Sequence, residues 1–274
     1  RQPILYQDGI LIDDNIDSIG ITRTNLFWLG SSSTTITTLW GWNEIDRGTG
    51  MNTDDPGANL LGLFTQWNYD DLQIQFDTTY VFAGHSENSD GVNISLGANT
   101  RFGGWLNTTT SLNQSIATDG ENDQNGTGTL IFNQFSMQPS YTVDNVYLNA
   151  FLGIDDYTSA ARGANSGGPL AQAGILFAAT GLGTFGPALD ASGQNMVGGA
   201  LGYQHFIGDI NQQIIGEIGG QTNLSGESES AFATGAEYVL GFWQHFVFTL
   251  GASVTFQEDL DTAYGLRSVL TYSY

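Results

Sequence analysis

The sequence predicts an all-β fold, a transmembrane antiparallel up-and-down β-barrel of about twelve strands, with about fourteen as the alternative. Three observations carry this expectation. Apolar and polar residues alternate with a period of two through most of the 274 residues. The connections between the alternating segments are tight turns at one end and long polar loops at the other, and Trp, Tyr and Phe gather where the segments end. Only 12% of the residues are charged, about half the usual share. The 28 acids face 6 cations, all arginine, for a net charge of −22. Nucleic acid is excluded as a partner, because so few cations cannot neutralise a phosphate backbone. The 40% hydrophobic and 12% aromatic content marks a folded chain, and the absence of cysteine removes disulfides and thiolate metal sites.

Residues 1–24 alternate poorly and hold Asp8, Asp13, Asp14 and Asp17. They are expected to form an acidic N-terminal segment, periplasmic or lumenal, with no fold assigned. The barrel is expected over 25–274. Candidate strands lie at about 33–43, 58–69, 72–84, 91–103, 105–118, 128–141, 145–156, 195–207, 210–222, 230–241, 244–256 and 261–274. In the third of these, Leu72, Ile74, Phe76, Tyr80 and Phe82 oppose Gln73, Gln75, Asp77 and Thr79. In the eleventh, Phe246, Phe248, Leu250, Val254 and Phe256 oppose Thr249, Gly251, Ser253 and Thr255. Tight turns are expected at 70–71, 103–104, 142–144, 208–209 and 242–243, and the mostly longer, polar links near 44–57, 85–90, 119–127, 157–194, 223–229 and 257–260. The 157–194 link is too long to lack structure. Its Gly/Ala-rich stretch is read either as an extra hairpin or as a loop folded inward to narrow the pore. That stretch is no membrane helix, since glycines and Pro187 interrupt it well short of about 20 apolar residues.

Aromatic residues fall at both strand ends, with Trp67, Tyr69, Phe102, Trp105, Phe242, Trp243 and Phe246 near the tight turns and Trp40, Trp42, Tyr80, Phe82 and Phe256 near the long loops. At the C-terminus Leu266, Leu270, Tyr272 and Tyr274 share one face and end on an aromatic ring. This pattern resembles the C-terminal signal of bacterial outer-membrane proteins, in which Phe is the commoner last residue and Tyr a variant. Together with the strand pattern from about residue 33 onward, the chain resembles bacterial outer-membrane β-barrel proteins of the porin-like kind. The missing lysine and the segment Ala191-Ser192-Gly193-Gln194-Asn195 resemble planctomycete-type barrels. The resemblance implies the bacterial outer membrane as location and the barrel assembly machinery as reader of Leu270, Tyr272 and Tyr274. It also implies contact with outer-membrane lipid and surface glycan, and assembly as homo-oligomers or within a larger envelope complex. The start at Arg1, without an initiator Met, fits a mature form from which a signal peptide has been removed.

No catalytic set is expected. Outer-membrane phospholipases place Ser two residues after His, and none of His85, His205 and His245 has Ser there. Glu121, Asp123, Asn125 and Gly126 imitate the start of a calcium loop, but its twelfth position is Phe132 rather than Glu. Ca2+ or Mg2+ at the acidic loops is the expected metal, and no other cofactor is implied. Strand parity turns Asp77, Asn99, Arg101, Glu217, Glu237 and Arg267 into the pore, with Asn93, Asn107, Asn113, Gln134 and Asn149. Glu237 and Arg267 read either as a pair or as two solvated charges. The expected function is a porin-like channel for passive diffusion of small hydrophilic solutes, cation-leaning or non-selective. The alternative is a non-conducting structural barrel, plugged by 1–24 or 157–194, within a larger envelope assembly.

Overall fold

The computed structural model describes residues 2–7, 10–26, 29–42, 45, 58–82, 90–118, 126–138, 144–162, 168–178, 188–208, 212–225, 230–243, 245–258 and 260–272. Its strands are β1 (Gln2–Tyr6), β2 (Ile12–Leu26), β3 (Ser33–Trp42), β4 (Asn59–Asn68), β5 (Leu72–Phe82), β6 (Gly91–Phe102), β7 (Leu106–Ala117), β8 (Gly128–Met137), β9 (Asn145–Asp155), β10 (Ala161–Arg162), β11 (Met196–Phe206), β12 (Gln212–Asn223), β13 (Ala231–Phe242), β14 (Phe246–Gln257) and β15 (Ala263–Tyr272). Apart from the two-residue β10, they lie side by side in chain order, each antiparallel to the next. β10 joins the start of β2 in parallel.

All the predicted strands form, as β3 to β9 and β11 to β15. The wall has one more. Residues 12–16 of β2 pair with β1, whereas 17–26 pair with β3. Of the fifteen strands, removing β1 and β10 leaves thirteen in the wall. The extra one falls in the segment to which the sequence assigns no fold. Its alternation is broken by Asp13, Asp14 and Asp17, and by a register shift between Arg23 and Leu26 where Asn25 takes φ 57°.

The wall inverts the pattern of a water-soluble sheet. On β6 and β7 the buried residues include Asn93, Ser95, Ser111, Asn113 and Ser115, while Leu96 and Leu112 are 49% and 45% exposed. Polar side chains therefore face inward and leucine faces out, the order a bilayer demands. Outward rings gather at the tight-turn end, where Phe246 stacks on Phe242 and the rings of Trp243 and Tyr272 meet them edge-on or tilted. At the long-loop end Trp40 meets Trp42 and Tyr80 meets Phe82. The tight turn between β6 and β7 uses Gly103 and Gly104 at φ 56° and 78°, a left-handed conformation that glycine adopts without steric cost.

Among the described residues two apolar clusters pack on the inner face. Ile10, Leu130, Phe132, Phe151, Tyr157, Leu176 and Phe177 belong to one cluster, and Leu11, Ile12, Ile16, Leu60, Phe64, Val81 and Ala160 to another. The described part of 157–194 adds no wall hairpin; it folds onto the inner face, as do residues 6–16.

Candidate functional site

The inward N-terminal segment is set by the run Ile10-Leu11-Ile12, which is almost wholly buried, and by two contacts to the wall. Tyr6 stacks on Phe64 of β4, with ring centroids 3.5 Å apart and planes 5° from parallel. Gln7 Nε2 donates to Asp77 Oδ2 at 2.7 Å, while the backbone N–H of Thr65 donates to Oδ1 at 3.2 Å. Gly97 makes room for this, since a Cβ there would stand 2.7 Å from Gln7 Oε1.

The second inward segment, residues 168–178 and 188–194, rests on β8, β9 and β11 to β14. Glu217 of β12 is its main anchor. Its carboxylate accepts the backbone N–H groups of Ile175 at 3.1 Å and Leu176 at 2.9 Å, together with the Tyr147 hydroxyl. Asn149 donates to Ala173 O, Thr255 donates to Ala188 O at 3.0 Å, and Phe177 meets Phe151 edge-on at 5.4 Å. Small residues on the wall admit the segment; a Cβ on Gly235 would stand 2.9 Å from Leu176 Cδ2. The N-terminal segment also bonds to the residues just after β9. Tyr157 Oη and Ser159 Oγ both donate to Ile10 O, at 3.1 and 2.6 Å, and Ala160 N donates to Leu11 O at 2.9 Å.

One open region lies toward the tight turns. A cavity of about 770 Å³ is bounded there by Gln73, Asn99, Arg101, Asn107, Gln134 and Asp70, and Leu5, Phe132 and Gln172 also line it. On one side its wall continues as a ladder of neutral amides. Asn68 Oδ1 accepts from Gln66 and Gln73, and Gln73 Oε1 accepts from Gln75 and Asn99. A second cavity of about 380 Å³ lies between Ile175, Leu176 and Ala188 and the glycines 235, 251 and 265, beside Glu237 and Arg267.

The residues predicted to line the pore thus separate into three groups. Asn99 and Arg101 border the larger cavity. Glu237 and Arg267 form an ion pair at the smaller one. Asp77 and Glu217, 4% and 2% exposed, lie beneath the inward segments and hold them. The Glu237–Arg267 contact decides between the two readings left open by the sequence. Parity located these acids but not their donors, which lie 70 residues away for Asp77 and 41 for the Leu176 contact of Glu217. The apolar run Ile10-Leu11-Ile12 is a sequence signal that could have found the N-terminal segment.

His205 sits near the tight turns, its Nδ1 3.0 Å from Asp144 Oδ1, and Tyr203 Oη donates to Asp144 Oδ2 at 2.6 Å. The Tyr203 hydroxyl, His205 and the N–H of Phe206 hold Asp144 below the usual carboxylate range. His245 lies against the Tyr272 ring at 5.9 Å. His85, the calcium-loop residues Glu121, Asp123 and Asn125, and Tyr274 lie outside the described residues. Among the described residues no three His or acidic side chains come together as metal ligands. Leu270 and Tyr272 are exposed on the outer face.

The chain shares its fold with solved outer-membrane barrels. Wzi of Escherichia coli, an outer membrane protein involved in group 1 capsule assembly and a carbohydrate-binding β-barrel, aligns with a TM-score of 0.62 at 10% identity, over 97% of this chain and 64% of Wzi. A BenF-like porin from Pseudomonas fluorescens Pf-5 gives 0.65 at 9% identity, over 98% of this chain and 71% of the porin. Pseudomonas aeruginosa OccK8 (OprE) gives 0.60 at 12% identity, over 99% and 75%. The chain therefore spans roughly two thirds to three quarters of the length of these structures. No protein-family model matches the sequence, and no curated protein does.

Proposed function

We propose that the chain is a porin-like barrel of the bacterial outer membrane, in which two inward segments leave a narrow passage for passive diffusion of small hydrophilic solutes. The amide-lined cavity at the tight-turn end carries this reading. Its amide donors and acceptors hydrate a polar solute, and Asp70, Asp71 and Arg101 are the charged groups at its border. Leu5, Phe132 and Gln172 border it on the lumenal side and are the natural constriction. With a net charge of −22, the field at the pore mouths favours cations or neutral solutes. No catalytic step is part of this reading. Reconstitution in planar bilayers under a salt gradient tests it; small channels with a cation-leaning or zero reversal potential support it, and silence or chloride preference overturns it.

A second reading has an observation of its own. The apolar cluster running from Ile10 through Tyr157 to Phe177 and Ala233 suits a barrel that conducts nothing and serves a larger envelope assembly, with surface glycan as partner. Conductance that appears only after deletion of 157–194 supports it. In either case outer-membrane lipid covers the outward leucines, and the barrel assembly machinery reads Leu270, Tyr272 and Tyr274. Ca2+ or Mg2+ screens the acidic loops, Glu121, Asp123 and Asn125 among them. An unchanged melting temperature in excess chelator argues against that screening.

A further inference from the structure

Five side-chain amides of β4, β5 and β6 form one oriented network along the larger cavity. Strand register sets Gln66 opposite Gln75, Asn68 opposite Gln73, and Gln73 opposite Asn99. Asn68 Oδ1 accepts from Gln66 at 2.8 Å and from Gln73 at 3.0 Å. Gln73 Oε1 accepts from Gln75 at 3.1 Å and from Asn99 at 3.0 Å, and Asn68 Nδ2 donates to Ser33 Oγ at 3.1 Å.

A primary amide carries two N–H donors and one carbonyl with two lone pairs. The carbonyls of Asn68 and Gln73 are therefore fully used, and each of the five nitrogens has one N–H engaged. The second N–H of each has no protein partner among the described residues. Asn107, Gln134 and Gln172 border the same cavity, and among the described residues their amides are engaged by none. Each of these three offers donors and a carbonyl together. The network thus supplies N–H groups, and the other amides supply both kinds of group.

That mixture selects a ligand class. A carboxylate or phosphate takes the N–H groups but leaves the carbonyls unmet, and an ammonium does the reverse. A hydroxyl donates and accepts at one atom, so a molecule bearing several hydroxyls satisfies both. At the border Asp70 and Asp71 outnumber Arg101, which disfavours anions further. Leu5 and Phe132 add apolar surface beside the amides, and the C–H face of a sugar ring fits there. The volume, about 770 Å³, lies within the range of small-molecule sites. Register and mutual hydrogen bonds already order the network, so binding bears little of that cost. We infer that this amide network is a binding site for neutral saccharides. Their passage rests on the channel reading above, whereas their binding does not.

Titration calorimetry tests the site on the barrel in a detergent without a sugar headgroup. Maltose is the probe, with gluconate as an anion and acetyl-diglycine amide as a neutral peptide for comparison. Maltose is expected to bind saturably and more tightly than either, and to block current transiently in bilayers. Gln73→Met and Asn99→Asp each remove donors of the network. Each hydrogen bond lost is expected to weaken maltose about three- to tenfold, with heat-modifiable gel migration confirming that the variant barrels are folded. Gluconate or the peptide binding as tightly as maltose overturns the inference. So does a native barrel that gives neither heat nor block with maltose, or two folded variants that bind maltose as the native chain does. A barrel that binds maltose in detergent yet stays silent in bilayers contradicts the channel reading alone. One that conducts without binding maltose contradicts the saccharide site alone.

Discussion

Glu217 gathers three donors at one carboxylate, from the backbone of Ile175 and Leu176 and from the Tyr147 hydroxyl. Glu217→Gln keeps the shape but turns one acceptor into a donor, leaving a buried N–H unpaired at a cost of about 1–3 kcal/mol. The expected outcome is a lower unfolding midpoint in detergent and a larger single-channel conductance as residues 175–178 loosen. Gln172 tests the passage without that cost, because its side chain is exposed at the cavity. Gln172→Trp is expected to lower conductance and Gln172→Ala to raise it, with the unfolding midpoint unchanged. Asp144 is a pH probe at the tight turns. Its folded pKa is lowered, first by the Tyr203 hydroxyl and then by His205, so its stabilisation is present above the unfolded value of about 3.9 and is lost as pH falls through the lower folded value. The melting difference between the native protein and Asp144→Asn is therefore expected to hold down to about pH 4 and to vanish only below it. The inward direction of Asp77 and Glu217 was legible in the strand period. That they clamp inward segments was not, because their donors sit on segments with no period and far along the chain.

Strands carry the legible part of the fold, since period two is imposed locally by the pleat and survives any tertiary arrangement. The wall half of β2 escaped because a bulge between Arg23 and Leu26 interrupts its alternation and the aspartates 13, 14 and 17 mark the approach to it as polar. For the inward segments the sequence left two readings open, periplasmic or lumenal for 1–24 and extra hairpin or inward loop for 157–194, and their contacts were not legible. Gly/Ala-rich turns such as 168–178 pack through shape against small wall residues, and nothing in their spacing announces which face they meet. Phe177 is fully buried against Phe151, and Phe177→Ala is expected to cost about 3–5 kcal/mol. A drop in unfolding midpoint together with faster proteolysis in 168–189, the wall strands staying protected, is the measurable sign. An equal loss of protection across β11 to β14 would mean that the segment is part of the wall's own stability.

At the scale of the whole molecule, the low share of charged residues follows from a wall with one apolar face and one mostly neutral face. A folded barrel of this kind is expected to migrate differently from its boiled form on a gel. The channel claim is tested most directly by single-channel recording on the native chain and on a variant lacking residues 168–189. Small, cation-leaning or non-selective steps from the native chain, enlarged several-fold in the variant, are the expected result. A native chain that stays silent over many insertions, or that prefers chloride, would contradict it.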